Sequence, residues 1–177
     1  PRKKETRNSY STPTPVTDGK RVYAVFSDGG FAALDFAGNI AWTNRDYPFY
    51  SQHGLGASPV LSGGLLIMTM DASSEGEDKL IGWQKPWDKS FVLALDAATG
   101  KQTWAKRLGG NFSASPILAG GHIYCCSEQG ETHIIKPGMK PKVVGVNKLP
   151  GTLMASPAAV GATSHSGVGA TSKTSGV

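Results

Sequence analysis

One short run of residue types occurs four times along this chain, and it limits the possible folds more than any other feature. Thr12-Pro13-Thr14-Pro15-Val16 is followed by Ala57-Ser58-Pro59-Val60, Ala114-Ser115-Pro116-Ile117 and Ala155-Ser156-Pro157-Ala158. Four residues past the proline stands a glycine in every unit: Gly19, Gly63, Gly120 and Gly161. A glycine that recurs at one place marks a tight reversal, where positive φ is often needed. An apolar or aromatic run then follows at a fixed distance, as Val22-Tyr23, Leu66-Ile67 and Ile123-Tyr124. Such runs read as strands. Gly29 and Gly130 hold equivalent places between two such runs, where a hairpin turn belongs.

The prolines are 44, 57 and 41 residues apart, and the long spacing has a local cause. Leu95 lies 17 residues further from its proline than Leu34 and Ile135 lie from theirs, so the second unit carries an insertion. Without it the period is about 40–45 residues with four short strands, which is the pattern of a propeller blade. The expected fold is all-β: β-propeller blades of four antiparallel strands, about three blades plus part of a fourth, as a fragment of a larger propeller. The expected division is a basic N-terminal segment at 1–11, repeats at 12–160, and a flexible low-complexity tail at 161–177. Within the repeats the blades run at about 12–56, 57–113 and 114–154, and the next begins at 155–160.

The motif Ala33-Leu34-Asp35 returns as Ala94-Leu95-Asp96, each followed by a turn and a tryptophan, Trp42 or Trp104. The stretch Asp96-Ala97-Ala98-Thr99-Gly100-Lys101-Gln102-Thr103-Trp104 resembles the repeat of quinoprotein (PQQ-like) propellers, a superfamily of BamB-like proteins and quinoprotein alcohol dehydrogenases. The resemblance extends over residues 12–160. It implies that Trp42 and Trp104 dock adjacent blades, and it implies a periplasmic or exported location. The third unit departs from the pattern: Lys136-Pro137-Gly138 and then Val143-Val144 stand in place of the aspartate and the tryptophan.

Charge argues against nucleic acid as a partner. The net charge is +5, yet residues 8–135 hold nine basic and twelve acidic side chains. The surplus lies toward the two ends and forms no basic stripe interleaved with aromatics. No apolar run approaches the length of a membrane span.

Candidate chemistry is sparse. Cys125 and Cys126 suggest the adjacent-cysteine disulfide of some PQQ dehydrogenases, but their register matches the strand residues Ala24-Val25 and Met68-Thr69. Neighbouring strand residues face opposite ways, so both are expected to be buried and reduced. Pairing about residue 129 sets His133 opposite Cys125 and His122 opposite Lys136, so the two histidines do not converge on a metal. His53 and His165 lie elsewhere in the chain. No catalytic residue, cofactor ligand or metal ligand is assigned.

The irregular element is the insertion, residues 73–89, which holds Trp83 and Trp87. Binding residues concentrate on loops held by a rigid scaffold, so these two tryptophans are the candidate partner contacts, the alternative being a local lid over their own blade. The expected function is a non-enzymatic binding scaffold for a protein or glycan partner. The alternative is a fragment of a PQQ-dependent alcohol dehydrogenase, with PQQ and calcium at the central channel.

Overall fold

The computed structural model describes residues 12–49, 54–75 and 86–159. These form three four-stranded antiparallel sheets in sequence order, with no helix among the described residues. The first holds β1 (Val16–Thr17), β2 (Arg21–Val25), β3 (Phe31–Asp35) and β4 (Ile40–Asn44). The second holds β5 (Val60–Ser62), β6 (Leu65–Met70), β7 (Phe91–Asp96) and β8 (Gln102–Arg107). The third holds β9 (Ile117–Ala119), β10 (His122–Cys126), β11 (Glu131–Lys136) and β12 (Lys142–Lys148). Each first strand starts at the residue after a repeat proline, which has no N–H to give to a ladder. The four-strand meander expected from the repeat is the one observed.

Two hairpin turns show why glycine recurs. Gly29 and Gly130 both have φ of +83°. A Cβ on Gly29 would strike the Tyr47 carbonyl, and one on Gly130 would strike the Leu149 carbonyl. The chain returns over both turns at close range, so a side chain is excluded twice, by conformation and by space.

A bulge falls at one equivalent place in every sheet, between Ala33 and Leu34, between Ala94 and Leu95, and between Ile134 and Ile135. Trp42 pairs with Ala33 and Trp104 with Ala94, whereas Gly145 pairs with Ile134. Gly145, and not Val143-Val144, therefore holds the tryptophan position in the third sheet. The longer turn between β11 and β12 shifts the equivalence beyond what residue counting shows.

Apolar side chains lie between the sheets. Tyr23, Val25, Phe31 and Trp42 meet Leu66, Met68, Leu93 and Leu95 in one core, and Leu65, Ile67, Val92 and Trp104 meet Ile123, Cys125 and Ile135 in another. Alternate residues of β6 thus enter different cores, and all six are buried. A strand covered on both faces is apolar along nearly its whole length, and the one polar residue of Leu65–Met70, Thr69, donates its hydroxyl to the Ala114 carbonyl at 3.4 Å. Full burial of one such apolar side chain contributes about 1.5–3 kcal/mol.

Candidate partner-binding surface

The insertion in the second sheet has a defined base. Lys89 N–H donates to the Ala72 carbonyl at 2.9 Å, and Ser90 Oγ donates to Asp71 Oδ1 at 2.9 Å. Ser74 N–H donates to Asp88 Oδ1 at 2.7 Å, and Arg107 Nη2 donates to the Asp88 carbonyl at 2.7 Å. Trp87 returns from this loop to stack on Phe49, with ring centroids 5.5 Å apart and planes 25° apart. It is half-buried and packs against the core between the first two sheets. Trp83 lies outside the described residues, and Trp87 is placed at this seam.

The docking tryptophans sit on the seams themselves. Trp42 Nε1 donates to the Ala97 carbonyl at 3.0 Å, and Trp104 Nε1 donates to the Gly138 carbonyl at 2.8 Å. Each indole buries its ring and satisfies its one donor on the turn of the following sheet. Around Trp42, Asn44 Nδ2 donates to the Gly100 carbonyl at 2.8 Å, and Arg21 Nη1 donates to the Ala98 carbonyl at 3.1 Å. The third sheet has Gly145 at this position, and its outer hairpin exposes Val144, Val146 and Met139. Lys136, Lys140, Lys142 and Lys148 are exposed on the same hairpin. The basic residues assigned to a chain end on sequence grounds therefore belong to a folded edge.

A second set of bonds joins the sheets and was not anticipated. Thr14 N–H donates to Ser58 Oγ at 2.9 Å, Ser58 N–H to Ser115 Oγ at 2.8 Å, and Ser115 N–H to Ser156 Oγ at 3.0 Å. The serine before the second, third and fourth repeat prolines is thus the acceptor for the preceding unit. The recurrence of Ser or Thr at that place was visible, but its partner lies 41 to 57 residues away.

Residues 87–138, which contain the second unit's aspartate, turn and tryptophan, match the family model described as outer membrane protein assembly factor BamB. Among solved structures, a europium-containing methanol dehydrogenase superposes with a TM-score of 0.53 at 13% identity, over 85% of this chain and 36% of its own. Over residues 87–138 the sequence is similar to the PQQ-like repeat, and the sheets are similar in fold to propeller blades. BamB from Moraxella catarrhalis matches at a TM-score of 0.41 and 16% identity, over 89% of this chain and 56% of its own. The chain thus spans little more than half of one of these structures and about a third of the other. No curated protein matches the sequence.

Three turn aspartates of these blades are committed to local geometry. Asp18 Oδ1 accepts from the amides of Lys20 and Arg21, which hold its carboxyl down at about 2. Asp35 Oδ1 accepts from the amides of Ala37 and Asn39, and Asp96 Oδ1 accepts from Thr99 N–H and Oγ1. Both carboxyls lie below the usual range, chiefly through side-chain hydrogen bonds from Asn39 and Thr99. Asp71 differs, because burial raises its pKa although it accepts from Ser90 Oγ and, at 2.9 Å, from Phe112 N–H. Glu128 accepts from Asn111 Nδ2 and Ser113 Oγ.

Cys125 and Cys126 are free and buried. Cys125 enters the core between the second and third blades, where burial pushes its thiol up to about 12. Cys126 Sγ meets Thr132 Oγ1 at 3.4 Å. Among the described residues, no group of three or more His, Cys, Asp or Glu could hold a metal ion, and no helix is long and apolar enough to cross a membrane. His53 and His165 lie outside the described residues.

Proposed function

We propose that this propeller segment is a non-enzymatic scaffold that presents loops and strand edges to a protein partner. The reading is supported by how the acids are used: Asp18, Asp35 and Asp96 bond their own turns, while Asp71 and Glu128 bond the connections between strands and blades. A PQQ and calcium site needs oxygens free to converge on the cation. These described residues do not fit that requirement, and no catalytic step is derived from them. The BamB family match favours a protein over a glycan as the partner and supports a periplasmic or exported setting. The exposed Lys142–Lys148 edge strand is the described surface on offer, and Trp83 of the insertion, outside the described residues, is the other candidate contact in this reading.

The fold likeness to methanol dehydrogenase supports a second reading, a quinoprotein dehydrogenase whose PQQ and calcium are held by blades outside this span. Titration with PQQ and calcium of the whole propeller that contains this span, followed by tryptophan fluorescence and dye-linked alcohol oxidation, separates the two. The scaffold reading expects neither saturable binding nor turnover. Saturable binding accompanied by alcohol oxidation overturns it. Its positive arm is a purified partner whose binding is lost in Trp83→Ala at an unchanged melting temperature. Trp87→Ala is unsuited to that arm, because its stacking on Phe49 couples it to stability.

A further inference from the structure

His133 sits on the seam between the second and third blades with a buried nitrogen that has no partner. Its side chain is 9% exposed, and Nε2 makes no hydrogen bond. One side of the ring meets Phe112 at a centroid distance of 5.9 Å. Phe112 is 2% exposed and belongs to the connection between β8 and β9, which enters the core of this seam. Near the ring's Nε2 stands Glu131, with Oε2 3.6 Å away. The other oxygen of Glu131 lies 3.6 Å from Lys148 Nζ on β12. Both gaps exceed hydrogen-bond length, so Glu131 stands between the imidazole and the ammonium and is bonded to neither.

A proton on a buried imidazole requires an acceptor for each N–H. The other groups around the ring do not supply one. Cys125, the Cα partner of His133 on β10, carries a neutral thiol, and Val146, its partner on β12, is apolar. On the far side of the Phe112 connection, Asp71 is occupied by the Phe112 amide, and Glu128 by Asn111 and Ser113. Glu131 is the carboxylate left within reach, at a gap that closes only when the ring or the carboxylate moves from its present place.

We propose that His133 is an acid-sensitive gate on this seam: protonation draws its ring toward Glu131, away from Phe112, and loosens the connection between the two blades. Glu131 then exchanges Lys148 for His133, and the edge strand β12 loses a tether. Burial lowers the His133 pKa while Glu131 opposes the shift, so the neutral form belongs to the closed seam. The imidazole takes its proton more readily once the seam opens, and acid favours the open form.

Cys125 reports the seam, because it faces the same core and is inaccessible while the seam is closed. Its labelling by dipyridyl disulfide, located by mass spectrometry and normalised to the denatured chain, is followed from about pH 7.5 to about pH 5.5. The wild type should label severalfold faster at the acid end while remaining folded, and His133→Gln should show a flat profile. A flat wild-type profile, or an acid rise that persists in His133→Gln, overturns the gate. Should that variant fail to fold, Glu131→Gln decides: removing the carboxylate must move the acid rise to lower pH, and an unmoved rise overturns the proposal.

Discussion

The indole of Trp42 lies over Gly100 of the following blade so closely that Gly100 has no room for a side chain. Its ring carbons occupy the space a Cβ would need, its Nε1 donates to Ala97, and the neighbouring Asn44 bonds the Gly100 carbonyl. The glycine of the repeat turn is therefore a receiving surface as well as a turn residue.

Gly100→Ala should destabilise the chain by about 2–4 kcal/mol, combining the cost of a left-handed alanine with overpacking against the ring. Gly38→Ala is the control, since Gly38 has φ of +88° but nothing within 4 Å of a Cβ. It should cost only the backbone part, about 1–2 kcal/mol. Urea unfolding of both variants checks this, and equal losses would show that Trp42 yields without cost.

Asp71 should lower stability as pH rises. Its folded pKa is raised by burial, so the folded state holds the proton more tightly than the unfolded chain. The contribution is full below the ordinary carboxylate range and is lost as pH rises through the folded value. Asp71→Asn keeps an oxygen for Phe112 N–H and Ser90 Oγ but carries no charge. It should match or exceed the wild type in melting temperature at neutral pH and lose that advantage in acid. Asp18 titrates in the opposite sense: its carboxyl at about 2 contributes above the ordinary value of 3.8, and the contribution is lost as pH falls.

The cysteines should resist thiol reagents in the native chain at mildly alkaline pH. Cys125 is buried, with its thiol pushed up to about 12, and Cys126 is 3% exposed. Ellman titration should show slow reaction of both, and prompt reaction of two thiols after denaturation. Rapid native labelling would mean that the seam holding Cys125 stands open.

The strand pattern and hairpin registers were legible before any coordinates, because both follow from short-range rules. Turn glycines and alternating apolar residues set the β10–β11 pairing, and with it the Cys125–His133 pair, from residues within one hairpin. The assignment of Gly145 to the tryptophan position was not legible, since a bulge and a longer turn offset the count by a residue or two. Nor were the contacts that define the seams, where Trp42 meets Ala97 across 55 residues and Phe112 meets Asp71 across 41. The apolar run at Leu66-Ile67 marked a strand, but not that β6 would be buried on both faces or which sheet each face would meet. Local sterics and side-chain alternation are properties of a few consecutive residues, so the sequence by itself determined the blades. Stacking of one blade on the next brings distant residues together, and only the tertiary structure decided that His133 would be buried beside Phe112 with its nitrogen unpaired.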